Sequence, residues 1–473
     1  MDGLECTEIN LSNLERTRRI DSEFYKKECL IIAQILKDIN AVPITDYLKV
    51  SDGNHMTISD RFQPKGIPYY RGQDIHNFFI ESAAPICIDE DAYNNPYMHR
   101  SHIKKGDVLL SIVGTIGELA LVFSDRKATC SCKLAILRPT SIIFSPLLAI
   151  YLKTKYGFNQ IEKFKRGAVQ MGYLLEDMDQ LLIPFFSGSF IKYIAEIVNR
   201  AHDIMEESEI TYKNAEGILS KEIGFTPSIY FSGQTAIKKL SESFTLTGRL
   251  DAEYYQPKYD YIESALKEYD PEIKTLSDIA TYVFTGEYSE QYYNKGERKD
   301  LRNYIRGTDI KGGEIVQDDN HCINPIGFSK FVSTGDIITG RVGTIGNFGV
   351  VTESLNGAVC SDNILCFHLP SEYIPDVYAL YFNSELIKDL SLRMARGSVQ
   401  QRLNQETLKE LPVPLIKKDI QYNIQSQVQR AFELRRNAEK LIDIAVKSVE
   451  MAIEDSEEVA SKWLEENTRL LEG

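Results

Sequence analysis

Two short phrases of this sequence combine residue types that can read hydrogen-bonding groups on another molecule. Arg166 and Gln170 belong to the first phrase, and Arg396 and Gln400 occupy the same relative positions in the second. Arginine and glutamine are the side chains that make paired hydrogen bonds to guanine and adenine edges in the major groove. A loop fixed by its own backbone hydrogen bonds would explain the same residues. The two phrases leave both interpretations open.

The usual catalytic phrases do not occur in the sequence. It has no GxSxG, HExxH, kinase or P-loop phrase. The stretches Asn94-Asn95-Pro96-Tyr97 and Phe284-Thr285-Gly286-Glu287-Tyr288 are similar to loops of amino-methyltransferases, but each lacks one required residue, which favours chance similarity. The eight cysteines, with Cys130 and Cys132 in a CxC, lack the paired spacing of a zinc site. We expect buried free thiols, no bound metal and no catalytic residue.

The chain contains two copies of one design. The hairpin phrase GDVLLSIVGTIGELALV (106–122) recurs as GDIITGRVGTIGNFGVV (335–351), and other phrases recur in the same order at an offset of about 230 residues. A period this long indicates duplicated domains rather than a solenoid. Within VGTIG, the two glycines favour a tight strand-turn-strand over a phosphate-binding loop. The copies differ mainly between the shared phrases, and differences in function are expected there.

The other shared phrases are IDSEFY with LDAEYY, YRGQDI with IRGTDI, and RGAVQ with RGSVQ, at residues 20–25 and 250–255, 70–75 and 305–310, and 166–170 and 396–400.

Composition limits the class of protein. With 473 residues, 43% of them apolar, the chain can bury more than one core, and it has no apolar run long enough to span a bilayer and no signal peptide. We expect a soluble, cytoplasmic protein with no membrane partner. The net charge of -14 taken alone argues against a nucleic-acid partner. Half of that excess lies in two helical segments, however, and the remaining loops contain local basic clusters.

The elements that position these phrases alternate between sheet and helix. Residues 1–39 are predicted to be helical, residues 42–140 to be β-rich, and residues 145–164 to form a helix that covers the sheet. Two long segments, beginning near Phe190 and Asp419, carry narrow apolar stripes spaced by threes and fours. Such stripes need a partner, and we expect the two helices to pair with each other in antiparallel orientation.

This pattern predicts an α+β protein in which two β-rich domains are related by a pseudo-twofold axis and separated by two long antiparallel coiled-coil helices. The predicted bounds are 1–187 for the first domain, 188–224 for the central helix, 225–416 for a linker and the second domain, and 417–473 for the C-terminal helix. The central helix would span roughly 50 Å at about 1.5 Å per residue. That length corresponds to about one and a half turns of B-DNA.

In its paired phrases, their order and the long helix after each copy, the chain resembles the specificity subunits of type I restriction-modification systems. The resemblance covers nearly the whole chain. It implies two target-recognition domains, each reading one half of a split, asymmetric site on double-stranded DNA. It also implies that the helices dock two methyltransferase (M) subunits. S-adenosylmethionine would then belong to the M subunits, and ATP and Mg to restriction (R) subunits, with no cofactor in this chain.

The resemblance also assigns candidate DNA contacts. Residues in phrases that match the family pattern are Arg71, Gln73, Arg166 and Gln170 in the first copy and Arg306, Arg396, Gln400 and Gln401 in the second. Residues assigned to phosphate from their charge alone are Lys65, Lys165, Arg298, Lys299, Arg341 and Arg402. The alternative function is an acidic DNA mimic or scaffold that binds nucleic-acid enzymes. That function would require negative charge over both globular faces.

Overall fold

The computed structural model describes residues 6–10, 19–167, 171–225, 235–316, 319–343, 345–394 and 402–469. The helices within these ranges are α1 (Lys27–Asp38), α2 (Glu90–Asn94), α3 (Ser145–Lys153), α4 (Lys155–Phe164), α5 (Gly188–Ile223), α6 (Phe244–Thr247), α7 (Pro257–Tyr269), α8 (Leu276–Ile279), α9 (Pro375–Asn383), α10 (Glu385–Met394), α11 (Gln405–Lys409), α12 (Lys418–Glu454) and α13 (Glu457–Arg469).

The strands fall into two groups that follow the two sequence copies. The first group is β1 (Val42–Pro43), β2 (Leu48–Asp52), β3 (Phe62–Gln63), β4 (Ile67–Tyr70), β5 (Ile86–Ile88), β6 (Val108–Ser111), β7 (Leu119–Leu121), β8 (Thr129–Cys130), β9 (Leu134–Pro139) and β10 (Leu182–Ile183). The second is β11 (Lys274–Thr275), β12 (Tyr282–Thr285), β13 (Arg302–Ile305), β14 (Ile310–Lys311), β15 (Glu314–Ile315), β16 (Cys322–Ile323), β17 (Ile337–Gly340), β18 (Phe348–Val350), β19 (Val359–Cys360), β20 (Ile364–His368) and β21 (Pro412–Val413).

The chain divides into two compact units. Unit 1 comprises Met1–Glu206 and Leu434–Gly473, and unit 2 comprises Glu207–Glu433. The division cuts through α5 and α12, whereas the domain bounds predicted from the sequence treat the long helices as separate stretches. Those predicted bounds stay a prediction. The mixed sheet-and-helix class is confirmed.

Each unit contains the same antiparallel four-stranded sheet. Its order is β2-β9-β6-β7 in unit 1 and β12-β20-β17-β18 in unit 2. A second sheet places two strands in parallel, β4 beside β8 in unit 1 and β13 beside β19 in unit 2. The units differ in the strands around this second sheet, with β3 and β5 in one and β14, β15 and β16 in the other. Those differences lie between the shared phrases, as the sequence predicts.

Burial of both sheet faces explains the continuous apolar runs of the central strands. Val108 and Leu110 of β6 belong to the large core of unit 1, which includes helices α3 and α4. Leu109, between them, packs in a smaller core with Tyr70 on the opposite face. A strand that is covered on both sides loses the alternation of polar and apolar residues.

The shared hairpin has the predicted turn. β6 pairs with β7 and β17 pairs with β18, in both cases antiparallel. Gly114 and Gly117 have φ angles of 85° and 94°, in the left-handed region that glycine tolerates best. The strand-turn-strand prediction for VGTIG is therefore confirmed.

The predicted apolar stripes of the long helices are buried within each unit. In unit 1, the buried residues of α5 and α12 include Phe190, Ile194, Ile197, Ala201, Leu441, Ile442, Ala445 and Val449. In unit 2, they include Ala215, Leu219, Ile223, Ile424 and Val428. The hydroxyl of Ser208 donates to the carbonyl of Ala431 at 2.7 Å, also within unit 2. No helix in the described part of the chain is both long and apolar enough to cross a membrane.

Three helix predictions need correction. Within the described part of residues 1–39, the helix covers Lys27–Asp38, because residues 19–25 contact the end of α4 instead of extending it. The predicted helix 145–164 breaks at Thr154, whose side chain caps α4 through the amide of Gly157. The C-terminal helix ends at Glu454, and α13 begins after Ser456, whose side chain accepts from the amide of Val459. Serine followed by glutamates is a helix-start signal that the apolar stripe obscured.

The thiols only partly follow prediction. Cys29, Cys130, Cys322, Cys360 and Cys366 are buried, whereas Cys87 and Cys132 are half-buried and Cys6 is exposed. Cys130 and Cys360 occupy matching positions at the ends of β8 and β19. Burial raises the pKa of both thiols. A thiol held protonated in this way is a weak nucleophile and metal ligand.

Glycine is required directly after the edge strand β2 or β12 of each four-stranded sheet, where the chain meets a neighbouring turn. A Cβ on Gly286 would lie 2.3 Å from the carbonyl oxygens of Cys360 and Ser361, and one on Gly53 would meet Ser131 equally closely. The atoms in the way are backbone carbonyl oxygens, which cannot shift without distorting the neighbouring turn. This packing gives a structural reason for the glycine of Phe284-Thr285-Gly286 and supports the interpretation of that phrase as chance similarity to a cofactor loop.

We expect Gly286→Ala to lower the free energy of unfolding by about 3 kcal/mol and the melting temperature by roughly 6–12 °C. Gly217→Ala is the matched control, because a Cβ there meets nothing within 4 Å. In the middle of α5 it should stabilise the protein by about 0.5–1 kcal/mol. Thermal unfolding followed by circular dichroism measures both. Equal melting temperatures for the two variants would contradict the packing explanation.

Candidate functional site

Three shared phrases meet in unit 1. We call this meeting point the motif cluster of unit 1; it consists of residues 71–74, 112–117, 165–167 and 171–173. The hydroxyl of Thr115 donates to the carbonyl of Gly72 at 3.3 Å, which joins the hairpin tip to the YRGQDI phrase. The amide of Tyr173 donates to the carbonyl of Ile112 at 2.8 Å, which joins the hairpin to the chain beyond the RGAVQ phrase. Phrases far apart in sequence thus form one surface.

Unit 2 repeats this arrangement. Its motif cluster consists of residues 306–309, 341–343, 345, 402 and 403. The amide of Leu403 donates to the carbonyl of Arg341 at 3.0 Å, and Val342 forms a β-bridge with Arg402. These contacts match those of Tyr173 and Ile112 in unit 1. The same backbone geometry therefore recurs around different side chains.

The arginine that opens each RGxD turn is bound to the aspartate that closes it. Arg71 donates from its backbone amide at 2.8 Å and from its guanidinium at 3.0 and 3.1 Å to the carboxylate of Asp74. Arg306 makes the same contacts with Asp309, and one of its terminal nitrogens also lies 2.7 Å from Nε2 of His321. The hydrogen bonds to Asp74 raise the pKa of the Arg71 guanidinium. Both arginines thus stabilise their own turn and remain about one-third exposed.

The residue between glycine and aspartate in these turns is exposed in both units. It is Gln73 in unit 1 and Thr308 in unit 2. The surrounding turn, Gly72–Asp74 or Gly307–Asp309, has the same 3-10 conformation in each case. One backbone therefore presents two different polar side chains. Thr308 was missed by the sequence analysis, which followed arginine and glutamine types rather than positions.

Arg166 of the motif cluster of unit 1 forms an ion pair with Asp177 of its own unit. One terminal nitrogen lies 2.7 and 2.6 Å from the two carboxylate oxygens of Asp177, which is buried. In unit 2, a terminal nitrogen of Arg341 donates to the carbonyl of Asp362 at 3.1 Å. Each arginine also has a buried Nε with no hydrogen-bond partner among the described residues. Both guanidinium groups are thus half-buried and oriented by their own unit.

The predicted lysines of unit 1 lie in different environments. Lys65 is exposed in the loop before β4, whereas half-buried Lys165 forms an ion pair with Glu162. Exposed Lys133 was not predicted, although its Cβ lies 3.9 Å from the position of a Cβ on Gly72. In unit 2, Asn363 occupies the position that corresponds to Lys133. The cation close to Asn363 is Arg341, whose backbone amide donates to the carbonyl of Asn363. At this place the two clusters therefore take a cation from different positions of the chain, Lys133 before β9 and Arg341 after β17.

A basic cleft distinguishes unit 2. It has a volume of about 410 Å³, and its lining includes Lys295, Arg298, Lys299 and Arg302. The guanidinium of Arg298 lies 4.5 Å from the centre of the Tyr293 ring, and Lys295 pairs with Asp319 at 3.0 Å. Arg298 and Lys299, predicted from charge alone, are thus brought together. We call this the basic cleft.

The matching stretch of unit 1, residues 54–66, is electrostatically different. Its Arg61 makes two hydrogen bonds of 2.6 Å to Asp89. These hydrogen bonds lower the pKa of Asp89 to about 2. The positive charge of this arginine is therefore matched locally.

A buried carboxylate anchors the hairpin in both units. Asp107 accepts two hydrogen bonds of 2.7 Å from the guanidinium of Arg138 and one from the amide of Lys104. The carboxylate at the matching place, Asp336, accepts from the hydroxyl of Tyr282 at 2.5 Å and lies 2.8 Å from Nδ1 of His368. Both aspartates are buried, with Asp107 1% exposed and Asp336 0% exposed. The aspartate of each Gly-Asp pair thus connects the hairpin to the neighbouring strand of the sheet, β9 or β20.

Four predicted residues lie outside the described residues, namely Gln170, Arg396, Gln400 and Gln401. The other predicted residues fall in the two motif clusters, the basic cleft and, for Lys65, the loop beside β4. Exposed Arg402 lies at the edge of the cluster of unit 2.

The two motif clusters, built on duplicated sheets, define a protein that repeats one structural unit. Residues 268–442 match the family model described as "Type I restriction modification DNA specificity domain". Through this stretch the chain is similar to that family of domains. Among curated proteins, none gives a significant match.

Solved structures resemble the chain only distantly. The S subunit of a type I restriction-modification system from M. genitalium is 13% identical over 89% of this chain and 94% of that chain, with a TM-score of 0.35. The HsdS subunit from Thermoanaerobacter tengcongensis is 13% identical over 84% and 96% of the two chains, with a TM-score of 0.26.

Proposed function

We propose that this chain is the non-catalytic specificity subunit of a type I restriction-modification complex, and that each unit reads one half of a split, asymmetric site on double-stranded DNA. The observation that carries the proposal is the specificity-domain match over unit 2. Unit 1 lies largely outside that match, but it repeats the sheet order, the hairpin anchor and the motif cluster of unit 2. A shared scaffold supports a shared role.

Direct base contacts come from the exposed polar residues of the motif clusters. Gln73 and Thr308 occupy one position on two copies of the same turn, so they make the two half-sites differ. Paired hydrogen bonds from glutamine to adenine discriminate by about 1–3 kcal/mol. Arg71, Arg166 and Arg306 present oriented guanidinium groups beside them, and Gln170, Arg396, Gln400 and Gln401 complete the proposed set from the sequence.

Phosphate contacts orient each unit on the duplex without reading sequence. In unit 2 the basic cleft concentrates Arg298 and Lys299 with two further cations, which suits a phosphodiester backbone. Lys65, Lys165, Arg341 and Arg402 are the other proposed contacts. Half of the negative excess lies in the long helices, so the net charge of -14 does not prevent such local attraction.

The long helices serve as spacer and docking surface in this proposal. In unit 1 the first half of α5 packs with the second half of α12, and in unit 2 the second half of α5 packs with the first half of α12. That order supports the antiparallel pairing of the helices that the sequence predicts. Two M subunits bound there supply methylation with S-adenosylmethionine, and R subunits supply ATP- and Mg-dependent cleavage.

Selection from a randomised duplex library, in the presence of the M subunits, tests the function. We expect recovered duplexes to share two short, different sequences separated by a fixed gap. Binding should weaken as salt rises, because released counterions drive it. Recovery of unselected sequence, or inhibition of nucleic-acid enzymes without DNA binding, would favour the acidic DNA-mimic alternative.

A single substitution tests which residue reads bases. We expect Gln73→Thr to change the preferred base pair at one position of one half-site by roughly tenfold, the effect of losing one paired contact. The other half-site should stay the same. Gln34→Thr on α1 is the control, since Gln34 is exposed and lies outside the shared phrases and the motif cluster. Altered preference in both half-sites would rule out a local reading role for Gln73.

The basic cleft predicts that substitutions inside it change the salt dependence of DNA binding more than a substitution elsewhere does. Lys299→Gln and Arg298→Gln should each lower the slope of log K against log salt by about 0.9, the value for one phosphate contact. The recovered consensus should not change, because phosphate carries no sequence. Lys37→Gln, an exposed lysine of α1, removes the same charge elsewhere and serves as the control. Slopes that match the control would exclude the cleft as a phosphate site.

A further inference from the structure

The first shared phrase of each sequence copy lies in a short segment that contacts the end of a helix. In unit 1, Arg19 donates from Nε to Asp21 at 2.8 Å, and its terminal nitrogens donate to the carbonyls of Lys163 at 3.2 Å and Lys165 at 2.8 Å. The hydroxyl of Tyr25 donates to the carbonyl of Arg19 at 2.9 Å. We call residues 19–25 the latch of unit 1. It joins the start of the unit to residues more than a hundred positions later.

Unit 2 contains the same latch in residues 249–255. Arg249 donates to the two oxygens of Asp251 at 2.9 and 2.6 Å, and to the carbonyl of Arg393 at 3.4 Å. The hydroxyl of Tyr255 donates to the carbonyl of Arg249 at 3.1 Å. Both copies therefore preserve the ion pair, the tyrosine and the contact with the helix end.

An aromatic ring between two cations completes each latch. The ring of Phe24 lies 4.9 Å from the guanidinium of Arg19 and 4.5 Å from the ammonium of Lys163. The ring of Tyr254 lies 4.4 Å from the guanidinium of Arg249 and 4.3 Å from that of Arg393. The helix residue changes between copies while the arrangement stays the same. A contact kept through such a change has a role beyond filling space.

The position of the latch suggests that role. Lys163 and Arg393 lie in the last turns of α4 and α10, where backbone carbonyls lack helical partners. A guanidinium there satisfies them and interacts favourably with the helix dipole. In unit 1, the chain enters the motif cluster at Lys165 and Arg166, directly after this turn. A latch on the helix end therefore fixes the direction in which the chain leaves the helix.

We propose that Arg19 is a positioning residue that sets the chain leaving α4 and thereby controls the reading of one half-site, and that Arg249 is its counterpart, which holds the last turn of α10 and controls the reading of the other. The part that concerns DNA rests on the proposed function. Neither arginine contacts the duplex in this account. The effect of Arg19 passes through the end of α4 to Arg166, and that of Arg249 acts through the end of α10.

Limited proteolysis of the full chain tests the positioning without DNA. In Arg19→Ala, trypsin should cleave after Lys165 or Arg166 roughly tenfold faster, because cleavage follows the population of the open form. Cleavage after Arg396 or Arg402 should stay at the wild-type rate. Arg249→Ala should show the reverse pattern, with mass spectrometry locating each cut. Arg19→Lys keeps the charge but cannot make all three contacts, and should fall between wild type and Arg19→Ala.

Arg61→Ala is the matched control. It breaks an equally short arginine–aspartate pair in unit 1, with Asp89, away from the helix ends. Cleavage in Arg19→Ala at the rate of Arg61→Ala would overturn the proposal. Faster cleavage in both units, in either Arg19→Ala or Arg249→Ala, would also overturn the proposal, since it indicates general destabilisation. Melting temperatures identify variants that fail to fold, for which Arg19→Lys gives the decisive comparison.

Binding to duplexes selected from the randomised library then tests the effect on reading. Arg19→Ala should lower discrimination in one half-site by roughly tenfold and leave the other intact, and Arg249→Ala should do the converse. Unchanged discrimination with faster cleavage would overturn the link to reading. Absence of selective binding by the wild-type chain would refute the proposed function, while the cleavage rates would still decide whether the latch positions the chain.

Discussion

The structure of each unit depends on a carboxylate buried beneath the shared hairpin. Asp107 and Asp336 each bind the loop before the hairpin through a backbone amide and the neighbouring strand through side chains. A buried charge without partners is strongly destabilising, so the surrounding groups must keep their geometry. The hairpin tip, which meets the other shared phrases, is consequently held at a defined place on the sheet.

The partners of that carboxylate are not the same in the two units. A bidentate arginine serves in unit 1, whereas a histidine, a tyrosine and a thiol surround the carboxylate in unit 2. The sheet order is nevertheless identical. A duplicated scaffold can therefore change its supporting contacts while it keeps its backbone. The strands beside the second sheet also differ, and in unit 2 Ile310 of β14 and Ile315 of β15 pack against Gly349 of the hairpin strand β18.

Sequence patterns predicted the elements that depend on local chemistry. Glycines at fixed spacing gave the hairpin turn, and apolar residues at threes and fours gave the buried stripes of α5 and α12. The separation of segment 19–25 from α1, with a 3-10 turn at Ser22–Tyr25, was missed, since it depends on carbonyls of residues 163 and 165 that no local pattern reveals. The break after Glu454 was missed for a related reason: the apolar stripe continues through Ala460 and Leu464, which are buried in the same core.

The candidate site was the hardest part to predict, because residue type does not reveal ion pairing. Arg71, Arg166 and Arg306 were chosen as cations, yet each is bound to an aspartate of its own unit. An arginine paired in this way adds little net charge but keeps its remaining donors in a defined orientation. Under the proposed function, such groups suit recognition by hydrogen bonding, whereas attraction to the backbone must come from cations such as those of the basic cleft. Selectivity would then be shared by both units, while a larger part of the salt-dependent affinity would reside in unit 2.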